Sequence, residues 1–136
     1  MQKSANNKGV ERYRQQILLP EVGTEGQAVL SAASVLVVGA GGLGSPAALY
    51  LSAAGIGRLV LVDPDTVAIS NLHRQVLYRE DDIGSLKVET AARSLHGFRS
   101  DVKIETHACW LTEENAAQLV GSVNVVLDCT DNFSSR

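Results

Sequence analysis

Residues Val35–Gly44 read VLVVGAGGLG, a short apolar run that breaks into a cluster of glycines. A valine-rich run of this length suits a parallel strand covered on both faces. Gly39, Gly41 and Gly44 then follow a G-x-G-x-x-G spacing, directly before the helical pattern SPAALYLSAAG. The first glycine permits a tight turn, the second lets backbone approach a phosphate, and the third lets helix pack on strand. The N-terminus of the helix adds unpaired N–H groups and the positive end of a dipole. The stretch predicts a phosphate-bearing nucleotide, and residues elsewhere decide which one.

Outward from this loop, strand and helix patterns alternate. Upstream, ERYRQQILLP and GTEGQAVLSAA suggest one or two short helices, broken at Pro20 and Gly23. SVLVVG (Ser34–Gly39) is the first strand. In the next helix Pro46 suits the first turn, where a missing N–H costs nothing, and Gly55 suits the end. RLVLVD (Arg58–Asp63) is a second buried strand, and a long irregular stretch follows from Pro64 to Gly84. SLKVETAARSLHGF predicts a helix, VKIETHA a strand, TEENAAQLV a helix with Thr112 as N-cap, and VNVVLD (Val123–Asp128) a fourth strand. This alternation argues for an α/β fold built on a doubly wound parallel sheet. There is no internal repeat and no low-complexity linker, so the chain reads as one unit.

The bulk properties are those of an ordinary globular domain. The chain has 136 residues, 45% hydrophobic and 20% charged, enough for one real core. Its net charge of −3 and the lack of a Lys/Arg block argue against nucleic acid and anionic membranes as partners. The opening MQKSANNK has no apolar centre like that of a signal peptide, and no apolar run is long enough to span a bilayer. A cytoplasmic location is the default expectation. Cys109 and Cys129 are too few for a disulfide framework and lack metal-ligand spacing.

Charged residues beyond the glycines narrow the nucleotide. Asp63 closes the second strand 19 residues after Gly44, where a carboxylate can take ribose hydroxyls. SNLHRQ places Arg74 soon afterwards, and GSLKVE places Lys87 at the start of the next helix. Two cations near the phosphates suit a triphosphate whose pyrophosphate leaving group gains charge in a nucleotidyl transfer. LDCTDN ends the fourth strand, beside the point where strand order reverses and ligands bind in such sheets. Asp128 is expected to cap its own loop through backbone N–H groups. Asp131 is expected to be the metal-side acid, since Mg²⁺ keeps several waters and takes only one or two protein carboxylates. Cys129, with no local His partner, is expected to be a small structural residue rather than a nucleophile. Cys109-Trp110 is expected to pack at a loop. His73 is assigned to loop packing, and His96 and His107 read as isolated surface residues.

Together, RYRQQILLPEVGTEGQ, VLVVGAGGLGSPAALYLSAAGIGRLVLVDPDTV, SNLHRQVLY, IGSLKVE and VLDCTDN resemble the ThiF/MoeB/HesA adenylyltransferases, bacterial relatives of ubiquitin-activating enzymes. The five motifs occur in the family's order from about Arg12 to the last residue. The resemblance implies a Rossmann-like, mostly parallel sheet with N-terminal helices. It also implies a reaction in which ATP and Mg²⁺ adenylate the C-terminal Gly-Gly carboxylate of a ubiquitin-like sulfur carrier of MoaD or ThiS type. Position by position, Gly39, Gly41, Gly42 and Gly44 would form the ATP loop and Asp63 would hold the ribose. Asn71, Arg74 and Lys87 would contact the phosphates. Asp131 would place Mg²⁺ and support transfer, with Asn132 nearby. Residues 12–136 would be the nucleotide-binding domain, behind a flexible polar tail at 1–11. A homodimer is the family's usual assembly.

Two departures from the family pattern stand out. The usual R-Y-x-R-Q becomes Arg12-Tyr13-Arg14-Gln15-Gln16, so Gln15 occupies the place of the arginine that reaches the partner subunit's ATP. Arg14 is one residue early, rotated about 100° on a helix. An arginine supplied in trans can be worth ~10³-fold in phosphoryl transfer. The second departure is that the sequence ends at DNFSSR, ahead of the family's carrier-binding half and its CxxC pairs. The expected sheet therefore stops after about four strands, with Val125–Leu127 as an exposed apolar edge. The chain is accordingly expected to be an N-terminal portion showing little or no adenylation by itself. Two competing expectations are a non-catalytic ATP-binding remnant and an NAD-dependent oxidoreductase domain. Arg74, Lys87 and Asp131 count against the latter.

Overall fold

Four strands form the centre of the computed structural model, which describes residues 8–131. The first part of the expected tail, residues 1–7, and the predicted site residue Asn132 lie outside the described residues. Residues 8–12 are helical, and α1 (Arg14–Ile17) and α2 (Gly23–Ala32) follow. The remaining elements are β1 (Ser34–Val38), α3 (Gly44–Ala54), β2 (Arg58–Val62), α4 (Lys87–Phe98), β3 (Lys103–His107), α5 (Glu113–Gly121) and β4 (Val125–Asp128). Each expected strand and helix is present, with bounds shifted by up to three residues. The stretch between β2 and α4 is irregular as expected, apart from 3₁₀ turns at Ile69–Asn71 and Glu80–Asp82.

The strands lie in the order β3-β2-β1-β4, and every neighbouring pair is parallel. Val35 is level with Leu59 on one side and Val125 on the other. Because side chains alternate across a strand, the uninterrupted valine and leucine runs of β1 and β2 feed two cores at once. Val35, Val37, Leu59 and Leu61 pack with Ala48 of α3 and with Val88, Ala91 and Leu95 of α4. Leu36, Val38, Val60 and Val62 face the other way and pack with Leu119 of α5. Helices on both faces of a parallel sheet make this the doubly wound α/β arrangement expected from the sequence.

The N-terminal helices are tied to the end of α3. Gln16 Nε2 donates to the Ala54 carbonyl at 2.7 Å, and Gln27 Nε2 reaches the same oxygen at 3.2 Å. Gly55 ends α3 in the left-handed region at φ 103°, and a Cβ there would stand 3.1 Å from the buried ring of Tyr13. Both the conformation and the close approach call for glycine.

The polypeptide crosses from β1 to β2 to β3 in one direction along the sheet, then returns through α5 to β4 on the other side of β1. Strand order therefore reverses between β1 and β4. Ladder hydrogen bonds run one residue past the strands, Gly39 N to Val62 O at 2.8 Å and Cys129 N to Val38 O at 2.9 Å. Beyond them the loops diverge and open a cleft.

Candidate functional site

The loops leaving the carboxyl ends of all four strands enclose a cleft of about 540 Å³. Gly39, Gly41 and Gly42 come from β1, Asp63 and Asp65 from β2, and Asn71, Arg74 and Gln75 from the long loop. Lys87 comes from the first position of α4, Cys109, Trp110 and Leu111 from β3, and Cys129, Thr130 and Asp131 from β4. The structure thus brings together every described candidate except Gly44, which does not line the cleft.

Gly44 acts one step back from the cleft. A Cβ on Gly44 would sit 1.7 Å from the Gly39 carbonyl oxygen, so only glycine lets α3 start this close to β1. Gly39 has φ 93°, and a Cβ there would lie 2.9 Å from the Cys129 carbonyl. The peptide of Ala40, between these glycines, is held on both sides. Its N–H donates to Asp63 Oδ2 at 2.8 Å. Its carbonyl accepts from the Tyr78 hydroxyl at 2.6 Å and the Ser45 hydroxyl at 3.2 Å. Burial pushes the Tyr78 phenol far above its ordinary range, so it stays a donor.

Asp63 is buried, and its second oxygen accepts from Asp65 N at 2.8 Å. Each carboxylate oxygen still has a lone pair for a sugar hydroxyl. Lys87 is only 6% exposed, yet its Nζ lies 3.8 Å from Asp65 Oδ2, beyond hydrogen-bond length. A buried ammonium so loosely paired is a strong attractant for a further anion. Arg74 is exposed, donates to Ser70 O at 3.0 Å, and lies 3.4 Å from where a Cβ on Gly42 would stand. Gly42 therefore leaves room for the guanidinium stem against the glycine loop. Asn71 uses its Oδ1 to accept Ala68 N–H at 2.9 Å, which leaves its amide N–H₂ as the group for a ligand.

Asp128 forms the expected turn, accepting Thr130 N–H at 3.0 Å. Asp131 is exposed at the cleft. Among the described residues no group of three or more acids, cysteines and histidines could cage a metal. One exposed carboxylate lining the same cleft as Arg74 and Lys87 is a donor set that fits Mg²⁺, which keeps most of its waters. Burial, and then the neighbouring Asp128, push the Cys129 thiol up, consistent with a structural role and against a thiolate nucleophile.

Three expectations need correction or addition. Trp110 is expected to pack, but the residue is 57% exposed at the cleft. His107 is not isolated: its Nε2 lies 2.8 Å from Glu105 Oε1, and Glu105 Oε2 accepts from Arg58 at 2.6 Å. Gln75 was overlooked. It is 3% exposed, lines the cleft, and its Oε1 has no partner among the described residues. Its place directly after Arg74 in a loop was the only signal available. Arg14 and Gln15 are exposed and do not line the cleft.

The chain resembles known proteins in sequence and in fold. The ThiF family model matches residues 13–136. The adenylyltransferase and sulfurtransferase MOCS3 of Anopheles gambiae is 51% identical over 96% of this chain. The sulfur carrier protein adenylyltransferase of Thermus thermophilus is 47% identical over 93%. The chain spans 30% and 47% of those two relatives, respectively. Among solved structures, E. coli tRNA N6-threonylcarbamoyladenosine dehydratase TcdA in complex with ATP superposes with a TM-score of 0.81 and 30% identity, over 90% of this chain and 50% of that one. E. coli MccB with ATP gives 0.79 and 29% identity, over 90% of this chain and 38% of that one. With the glycine loop, the paired cations and the strand reversal in one cleft, this chain belongs to the ThiF family.

Proposed function

We propose that residues 12–136 are the nucleotide-binding part of an ATP-dependent adenylyltransferase that activates a ubiquitin-like sulfur carrier. The observation that carries this reading is the buried, loosely paired Lys87 in the same cleft as Arg74 and the glycine loop. Backbone amides alone serve a dinucleotide's two phosphates. Two added cations suit a triphosphate that loses pyrophosphate. The names of the MOCS3 and Thermus relatives support the carrier as the partner class.

In the reaction, a carboxylate oxygen of the carrier's terminal glycine forms a bond to the α-phosphorus, and the bond to the β-phosphate oxygen breaks. Asp63 holds the ribose, and Gly41 and Gly42 let the phosphates approach the main chain. Asn71, Arg74 and Lys87 neutralise the pyrophosphate as its charge grows. Asp131 would hold Mg²⁺ through one carboxylate, and the ion would supply further charge neutralisation at the phosphates.

Thermal-shift titration tests the nucleotide. ATP with Mg²⁺ is expected to stabilise the chain, and Lys87→Met to abolish most of that shift. Stabilisation by NAD⁺ alone would overturn the reading. Carrier-dependent ATP–pyrophosphate exchange tests the chemistry. With Gln15 in the place of the family's arginine, exchange is expected to be weak and to rise in Gln15→Arg.

A further inference from the structure

Trp110 is the single tryptophan of the chain, and it lines the cleft while remaining more than half exposed. A large aromatic ring at the wall of a cleft offers a flat apolar face on which a planar ligand group can stack. The loop that carries it is held firmly. Asn115 of α5 donates from Nδ2 to the Trp110 carbonyl at 2.9 Å, and its Oδ1 accepts Thr112 N–H at 2.8 Å. The same Nδ2 lies 3.7 Å from Cys109 Sγ. One helical residue thus fixes the main chain just after the indole and meets the Cys109 side chain just before it.

Strand order gives the position meaning. Along the carboxyl edge the loops leave β3, β2, β1 and β4 in that order, so Trp110, Asp63, the glycine loop and Asp131 follow one another across the cleft. Adjacent strands are about 4.8 Å apart, which places the β3 exit roughly 10 Å from the glycine loop with Asp63 between them. A nucleotide with phosphates at the loop and ribose at Asp63 carries its base toward Trp110.

We propose that Trp110 is the base-stacking wall of this site and a determinant of its affinity for nucleotides over bare polyphosphate. The inference rests on the nucleotide reading above and adds the residue that meets the base. Stacking on an indole is tolerant of base identity, and it is absent for a ligand with no ring.

The chain's only tryptophan serves as its own reporter. Fluorescence titrations with ATP and with inorganic tripolyphosphate are run beside equilibrium dialysis of both ligands. ATP is expected to quench Trp110 and tripolyphosphate to leave it unchanged. Trp110→Ala is expected to weaken ATP binding about tenfold, with tripolyphosphate unaffected. Trp110→Phe should restore most of the affinity, and circular dichroism verifies that both variants fold. If dialysis shows bound ATP with no change in fluorescence and an unaltered Kd in Trp110→Ala, the base lies elsewhere and the proposal fails while the nucleotide reading stands. If ATP does not bind the unaltered chain at all, the nucleotide reading fails and takes this inference with it.

Discussion

At Gly44 one hydrogen atom decides whether the glycine loop can exist. A methyl group there would overlap the Gly39 carbonyl at 1.7 Å, and a contact with main chain cannot be relieved by rotating a side chain. Gly44→Ala is therefore expected to cost about 3 kcal/mol, read from the urea midpoint, and to remove ATP binding along with stability. Gly84→Ala is a control in open space at φ 88°, with only backbone strain to bear. Cys129 makes a second residue-scale prediction. Its raised pKa means the thiol stays protonated to higher pH than a free cysteine, so less of it is thiolate near neutrality. In a Cys109→Ser background, iodoacetamide should react slowly near pH 7, with the rate rising at higher pH than for a free cysteine. A rate matching free cysteine would contradict this placement.

At the scale of elements, each helix needs an end and a face. α4 buries Val88, Ala91 and Leu95, spaced to lie on one side, against the sheet. Just past α4, Arg99 is 5% exposed and donates from Nη1 to the Ser52 and Ile56 carbonyls at 3.0 and 2.6 Å, with Asp101 on its Nε at 2.9 Å. It closes the C-terminal end of α3, where carbonyls lack partners. Arg99→Met keeps the stem but orphans those oxygens, an expected loss of about 2 kcal/mol in chemical denaturation with no change in the cleft. Arg99 was not singled out in the sequence, because a lone arginine after a helix carries no pattern. The glycine loop is the opposite case, since spacing and flanking elements both announce it.

For the whole molecule, β4 is an edge of the sheet among the described residues, and Val125 and Val126 are 49% and 38% exposed. An apolar strand with an open ladder invites pairing with another copy. Val126→Lys is expected to reduce concentration-dependent association in sedimentation velocity and to leave the melting temperature nearly unchanged. A drop in melting temperature of more than a few degrees would show instead that Val126 is needed for this chain's own core.

Periodicity and composition by themselves determined the elements, their parallel pairing and the glycine loop. These follow from local sterics and from the two-sided burial of β1 and β2, which short-range sequence expresses directly. The gathering of Arg74, Lys87 and Asp131 at one cleft was legible because charged residues at strand exits and helix starts have few places to go. Only tertiary structure decided that Lys87 is buried with a distant partner, that Gln75 turns inward, and that Trp110 faces the cleft. Those outcomes depend on what distant segments occupy: Asp65 lies across from Lys87, and Asn115 of α5 pins the loop of Trp110. Burial is a property of the assembled layers, and no window of sequence contains it.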